Sequence, residues 1–176
     1  MPFTSFLDYL SLEKNYSKHT LIAYHKDLLG FREFALSEFD FSEVNSVSYA
    51  IIRSWIVKLV GDGVSNRTIN RKISSLRTYY KFLLKIGDIE VSPLVKHKVL
   101  KTAKKLQVPF SEKEIEDVLE ILKGEDSFIG LRNKLIVELF YSTGMRRGEL
   151  VNLKLNDISD SQKTIKVLGK RNKERI

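Results

Sequence analysis

The chain has 176 residues, which is enough for one large domain or two small ones, and 43% of them are hydrophobic, which is enough to bury real cores. No apolar run approaches the roughly eighteen residues that span a bilayer, and the charged start is unlike a signal peptide, so we expect a cytoplasmic protein with no membrane partner. The absence of cysteine and the three scattered histidines predict neither a metal site nor another cofactor, whereas a net charge of +8 favours a polyanionic partner.

Four helices are predicted before residue 88, because apolar residues recur there at intervals of three and four. The first lies around Phe3 to Glu13, and the second begins near Ser17 or Thr20, both of which suit a helix cap. The third runs from about Ser48 to Val60, where a Gly-Asp-Gly sequence ends it, and the fourth runs from Ser65 to Ile86. Four amphipathic helices with short connections pack most simply as a small bundle, so residues 1–88 are predicted to be a helical domain.

Residues 89–110 show no sustained period and contain five lysines, two prolines and one acidic residue. This composition predicts a basic interdomain linker. Ser111 then opens a capping-box pattern with Glu114, so a second domain is expected over residues 111–176. Its predicted elements are a helix from Ser111, a helix from Gly130 to Ser142, a short helix after Gly144 that reaches about Leu153, and a strand from Thr164 to Leu168 that enters a turn.

The fourth helix carries one basic stripe opposite an apolar stripe. The segment from Ser65 to Ile86 contains six basic residues and no acidic one. Short hydroxyl side chains at the centre of the stripe would let a phosphate backbone approach while longer side chains reach around it. An ordinary solvated helix face is the alternative, but such faces usually mix charge signs. We therefore interpret the stripe as a DNA-binding surface, formed by Arg67, Arg71, Ser74, Thr78, Lys81 and Lys85.

Two cationic residues in the second domain suit phosphoryl transfer, which needs donors for the phosphate oxygens and an acid for the leaving oxygen. Gly144 suits a helix end, so Arg146 falls at the start of the next short helix, where backbone N–H groups also favour an anion. Glu149 lies three residues on and can hold the Arg146 guanidinium, although this spacing more often marks a surface ion pair. Lys170 lies in the predicted hairpin turn and can donate a proton, although most such lysines have no special role.

These residues lie in two stretches, YSTGMRRGELVNLKLNDI and IKVLGKRNKER. Both closely resemble the Xer recombinases of the tyrosine recombinase and phage integrase family. YSKHTLIAYHKDLLGF and NRKISSLRTYYKFL also resemble the second and fourth helices of that family. The resemblance covers essentially the whole chain. It implies a mainly α fold, with a four-helix SAM-like core-binding domain followed by the first part of an α+β catalytic domain.

The resemblance also assigns roles and partners. It implies that Arg146 is the first of two phosphate-clamping arginines, that Glu149 supports it, and that Lys170 protonates the departing 5′ oxygen. The expected partner is double-stranded DNA at a recombination site, clamped between the two domains and bound by a tetramer of identical or sister recombinases. The expected reaction is strand cleavage and rejoining through a 3′-phosphotyrosyl intermediate.

The resemblance implies further catalytic residues that the 176 residues do not contain: a His-x-x-Arg pair, another His or Trp, and the tyrosine nucleophile. We expect them beyond Ile176, and none of the seven tyrosines present falls where the nucleophile should be. The chain by itself is therefore expected to be inactive in strand cleavage. Two hypotheses remain open: part of a recombinase with two catalytic groups, or a DNA-binding module that acts without catalysis. A helix-turn-helix regulator lacks support, because no compact recognition pair precedes the long basic helix.

Overall fold

The computed structural model describes residues 3–41, 43–104, 106–124, 126–169 and 173–176. The chain divides into two compact units, Met1–Lys105 and Leu106–Ile176. Among the described residues, helices dominate, every strand has two residues, and no helix is long and apolar enough to cross a membrane. The prediction of a mainly α fold is confirmed.

The first unit contains the four predicted helices, the first of which changes from α-helix to a π-helical turn at Tyr9. Ser17 and Ser65 cap the second and fourth helices, since their hydroxyls accept hydrogen bonds from the N–H groups of Thr20 and Thr68. The elements are α1 (Thr4–Asp8) with the π-turn Tyr9–Glu13, α2 (Lys18–Phe39), a 3-10 turn (Val44–Ser46), α3 (Tyr49–Gly61) and α4 (Asn66–Ile86).

The core of the first unit is formed by the apolar faces of these helices. The apolar stripe of α4 is buried along its whole length, and α2 and α3 pack against it. Phe31 of α2 and Trp55 of α3 meet with their ring centroids 5.1 Å apart. The predicted small helical bundle is therefore confirmed, with α4 as its central helix. The buried residues of α4 are Ile69, Ile73, Ser75, Leu76, Tyr79, Tyr80, Phe82 and Leu83.

The segment after α4 has no helix or strand between residues 89 and 104, but its first part packs on the first unit. Leu94 is buried in the core, and the Asn70 side chain of α4 makes a reciprocal pair with the backbone of Leu100 at 2.8 and 2.9 Å. The Asn66 amide donates to the carbonyl of Lys101 at 2.9 Å. Leu94, Leu100 and the two asparagine contacts therefore anchor this segment, which composition alone describes as a linker.

The second unit begins with the predicted capping box, in which Ser111 and Glu114 each accept a hydrogen bond from the other's backbone N–H. Two short antiparallel hairpins follow the helices. The elements are α5 (Glu112–Leu122), α6 (Phe128–Thr143), α7 (Arg147–Val151), a 3-10 turn (Leu155–Asp157), β1 (Ile158–Ser159), β2 (Thr164–Ile165), β3 (Val167–Leu168) and β4 (Glu174–Arg175).

The strand predicted from Thr164 to Leu168 is divided at Lys166. Its first half, β2, pairs with the preceding strand β1, and its second half, β3, pairs with the following strand β4. The N–H of Lys166 donates to the carbonyl of Asp157 at 2.8 Å, which extends the β1–β2 pairing up to the residue between the two hairpins. Strand β1 was not predicted, because two residues are too short to show a period.

Candidate catalytic site and nucleic-acid interface

The arginine predicted to bind phosphate lies between two helices of the second unit. Gly144 ends α6 with a positive φ of 60°, a conformation that a residue with a Cβ adopts at a cost. Met145 is buried, and Arg146 follows in an extended conformation as the residue that precedes α7. The predicted helix end at Gly144 and the predicted position of Arg146 are confirmed. Because α7 is only one turn long, the chemistry of this position rests on the guanidinium rather than on a helix dipole.

Glu149 holds Arg146 in two ways. Its Oε2 accepts a hydrogen bond from the Arg146 backbone N–H at 2.8 Å, and its Oε1 accepts one from Arg146 Nη1 at 2.8 Å. The Glu149 side chain is 5% exposed, whereas that of Arg146 is 58% exposed. The inner side of the guanidinium is therefore fixed, and its outer donors face solvent, where a phosphate can reach them.

The same contacts set the ionisation of Glu149. The hydrogen bond from the Arg146 backbone lowers the pKa of Glu149 below its ordinary value of 4.5, and the guanidinium groups of Arg146 and Arg175 act in the same direction, while desolvation opposes them. Glu149 is therefore an anion at neutral pH and cannot serve as the proton donor. Its stabilising contribution is present above pH 4.5 and is lost as the pH falls through its lowered pKa.

Arg175 of β4 is a further residue of this site, and sequence reasoning missed it. Its Nη2 donates to Glu149 Oε2 at 2.5 Å, so two arginines share one carboxylate. The contact joins residues 26 positions apart. No local spacing rule reaches that distance, and only the register of the β3–β4 hairpin brings the two side chains together.

The predicted acid, Lys170, lies outside the described residues. Gly169, which precedes it, lies directly against the ion pair. A Cβ added to Gly169 would lie 3.2 Å from Glu149 Oε1 and 3.9 Å from Arg146 Nη1. The chain just after β3 therefore packs closely on Glu149, and a side chain at position 169 would require this carboxylate and the Lys173 carbonyl, 3.3 Å from the same Cβ, to move by a few tenths of an ångström.

The basic stripe of α4 in the first unit is largely exposed, as its helical spacing predicted. Within the described residues, neither Arg67 nor Lys81 has a carboxylate partner. The Thr78 hydroxyl donates to the Ser74 carbonyl of its own helix at 2.9 Å, so its proton is already in use. The stripe thus includes two cations that are unpaired and able to meet phosphates.

Arg71 differs from its neighbours on the stripe, because it lies over a buried carboxylate of α2. Asp27 is 1% exposed and accepts hydrogen bonds from both terminal nitrogens of Arg71, at 2.5 and 3.0 Å. It also accepts from Lys72 at 3.3 Å and from the Ser75 hydroxyl at 2.8 Å. Helix α4 itself has no acidic residue, but the fold supplies one, so Arg71 is fixed in place and partly neutralised.

Lys85, at the other end of the stripe, also has an acidic partner. Its Nζ lies 2.6 Å from Glu13 Oε2 and 4.6 Å from the ring centroid of Tyr9. The hydrogen bond with Glu13 raises the pKa of Lys85. Both side chains of this ion pair are about half exposed, so a phosphate can compete with Glu13 for Lys85.

The Asp27 network leads to a prediction about stability. Changing Arg71 and Lys72 together to Gln should lower the free energy of unfolding by about 2 kcal/mol, because the buried carboxylate keeps only the Ser75 hydroxyl and two neutral amides. Urea denaturation measures the change. The matched control changes Arg67 and Lys81 to Gln, which removes the same charge from the same helix and should alter stability by less than about 0.5 kcal/mol. Equal stabilities of the two variants would contradict a structural role for the network.

Comparison with known proteins gives consistent matches to both units. The family described as "Phage integrase, N-terminal SAM-like domain" matches residues 3–87, and "Phage integrase family" matches residues 110–176. "Tyrosine recombinase XerC" of Staphylococcus carnosus (strain TM300) is 40% identical over 98% of this chain and 57% of its own length. The relative of the same name from Listeria innocua serovar 6a (strain ATCC BAA-680 / CLIP 11262) is 37% identical over 97% of this chain and 56% of its own. The chain therefore spans rather more than half the length of these relatives.

A solved structure supports the same fold. The Tn1549 transposon integrase, in complex with circular intermediate DNA, has a TM-score of 0.68 and covers 91% of this chain, which in turn covers 53% of that one. Its sequence identity of 18% is too low to carry more than the architecture.

Proposed function

This chain belongs to the phage integrase family of tyrosine recombinases, and on that premise we propose that it binds duplex DNA and takes part in site-specific recombination. In the proposed reaction, DNA strands are cut and rejoined through a 3′-phosphotyrosyl intermediate. The observation that carries the proposal is the Arg146 guanidinium, held on its inner side by the buried Glu149 with its outer donors exposed. We expect this function in the cytoplasm, on a DNA site bound by four recombinase copies of one or two kinds.

The proposed role of Arg146 is to bind the non-bridging oxygens of the scissile phosphate. Negative charge builds on these oxygens in the transition state, and a fixed guanidinium stabilises it without reorganising at the moment of reaction. Glu149 holds the guanidinium in place, because it accepts hydrogen bonds from both the backbone N–H and the side chain of Arg146. Since its pKa is lowered, Glu149 remains a hydrogen-bond acceptor throughout.

The proposed role of Lys170 is to protonate the 5′ oxygen as it leaves. In a full-length recombinase that contains these residues, Lys170→Ala should slow cleavage by about a hundredfold or more, which is the usual contribution of general acid catalysis. A substrate with a better 5′ leaving group needs less protonation and should recover part of the rate. Single-turnover cleavage of the two substrates measures this recovery. If the Ala variant is equally slow on both substrates, Lys170 is not the acid.

We propose that DNA binding in the first unit uses the α4 stripe together with the basic segment that follows α4. The side chains of Asn66 and Asn70 donate hydrogen bonds to the carbonyls of Lys101 and Leu100, so the backbone of this part of the basic segment is held against α4, the helix that carries the stripe. Phosphate contacts from this combined surface would give affinity that depends on salt rather than on sequence.

The alternative function is a DNA-binding module without catalysis, and under both readings the 176-residue chain alone should not cut DNA. We predict that the 176-residue chain alone forms no covalent complex with a nicked suicide substrate, because none of its seven tyrosines falls where the family resemblance expects the nucleophile. Burial raises the pKa of Tyr79 to about 12 and also raises the pKa of Tyr80, which is opposite to the activation that a nucleophile needs. A denaturing gel checks the result, and a shifted, protease-sensitive DNA band would contradict it. Cleavage by a longer recombinase that contains these residues would favour the catalytic reading over the module.

A further inference from the structure

We propose that Arg175 is a positioning residue for Arg146 and that it acts through the carboxylate of Glu149 which the two arginines share. This inference deepens the proposed function, and it rests on it for its catalytic consequence. The geometry on which it depends is a property of the chain itself and can be tested without any reaction.

The contacts divide Glu149 into two separately held oxygens. Oε1 accepts from Arg146 Nη1, and Oε2 accepts from both the Arg146 backbone N–H and Arg175 Nη2. Without Arg175, Oε2 accepts only the hydrogen bond from the Arg146 backbone N–H, and the carboxylate can rotate about the Cγ–Cδ bond of Glu149. Because Oε1 turns with Oε2, such rotation would move the acceptor that fixes the Arg146 guanidinium.

The hairpin register explains why Arg175 faces Glu149. Strand β4 pairs with β3 so that Arg175 lies opposite Val167. Val167 is buried, and β3 packs against α7, which carries Glu149. Side chains alternate along a strand, so the neighbouring Glu174 points the other way, where it pairs with the exposed Lys166 at 2.8 Å.

The charge of the cluster adds a second consequence. Arg146 and Glu149 alone would cancel, whereas two guanidinium groups over one carboxylate leave a net charge of +1. The Arg175 side chain is 45% exposed, so this charge lies near the surface that Arg146 presents. The Arg146–Glu149 pair is therefore fixed without becoming neutral as a cluster, although one charge adds little to an affinity that depends on several phosphate contacts.

The first experiment uses the 176-residue chain without DNA and follows the Arg146 guanidinium and the Glu149 carboxyl carbon by NMR. Arg175→Gln should speed hydrogen exchange at the Arg146 guanidinium and raise the pKa of Glu149. Arg175→Lys, which keeps a cationic donor, should restore part of both signals. The matched control is Glu174→Gln, which breaks an ion pair on the same strand and should change neither. Should the Gln variant not fold, Arg175→Met keeps the aliphatic stem against Val167 and replaces it in the test. Unchanged Arg146 exchange in a folded variant without the cation would overturn the proposal.

The second experiment measures cleavage of a nicked suicide duplex by a full-length recombinase that contains these residues. Arg175→Gln should slow the single-turnover rate at saturating DNA by about tenfold, which corresponds to the loss of one hydrogen bond to a charged group. The DNA affinity should change little. Arg175→Lys should recover part of the rate. In a variant that already carries Glu149→Gln, adding Arg175→Gln should slow cleavage only slightly more, because the Glu149 carboxylate through which Arg175 acts on Arg146 is already gone. A full additional loss in that background would mean that Arg175 acts by itself and would overturn the proposal.

The two experiments separate the two ideas. If the unaltered recombinase does not cleave DNA, the proposed function fails, and the NMR result still decides whether Arg175 positions Arg146.

Discussion

Arg146→Ala should abolish strand cleavage by a full-length recombinase that contains these residues, while DNA binding stays nearly unchanged. The expected loss of rate is about a hundred- to a thousandfold, the usual effect of removing one fixed donor from developing negative charge. Binding should survive because Arg146 contributes one phosphate contact among several. Single-turnover cleavage of a suicide substrate measures the rate, and a gel shift at the same salt concentration measures the affinity.

Arg147→Ala is the matched control for this substitution. It removes the same charge from the adjacent residue, which is also exposed but does not contact Glu149 in any described interaction. It should retain most of the cleavage rate. Equal losses from the two substitutions would mean that local positive charge matters rather than the fixed guanidinium, and the assignment of Arg146 would fall.

Local rules predicted the helices and the position of Arg146 well. Serine caps, a glycine in the left-handed region and apolar periodicity are all encoded within a few residues, so Ser65, Ser111 and Gly144 could be assigned from the sequence. The Arg146–Glu149 contact was predictable for the same reason, because its partners lie three residues apart.

Contacts between distant residues could not be predicted in this way. Asp27 and Arg71 are 44 positions apart, and their pairing depends on how α2 packs on α4. The basic stripe therefore gave the impression of a wholly unneutralised face, although a buried carboxylate from another helix lies beneath it. Arg175 was missed because a hairpin register decides its direction, and the sequence of a two-residue strand does not fix that register.

The basic stripe should give DNA binding a steep dependence on salt. The structure changes which residues can test this. Arg71 must be kept, because replacing it would remove a partner of buried Asp27 and mix stability with binding. Arg67 and Lys81 are free of carboxylate partners among the described residues, and the exposed pair of Lys85 with Glu13 contributes little to stability. The informative variant therefore changes Arg67, Lys81 and Lys85 to Gln, which is nearly as good a helix former.

If each of these three cations neutralises about one phosphate, the variant should lose about 2.7 from the slope of log affinity against log salt. Raising the salt concentration from 50 to 200 mM should then weaken the DNA affinity of the unaltered chain roughly fortyfold more than it weakens that of the variant. Fluorescence anisotropy with a labelled duplex measures the slope, and circular dichroism checks the fold. A control that changes Arg53, Lys58 and Lys123 to Gln removes the same charge from exposed positions elsewhere and should leave the slope nearly unchanged. If the two well-folded variants lose the same slope, the stripe acts only through net charge, and the lysines after α4 become the better candidates for phosphate contact.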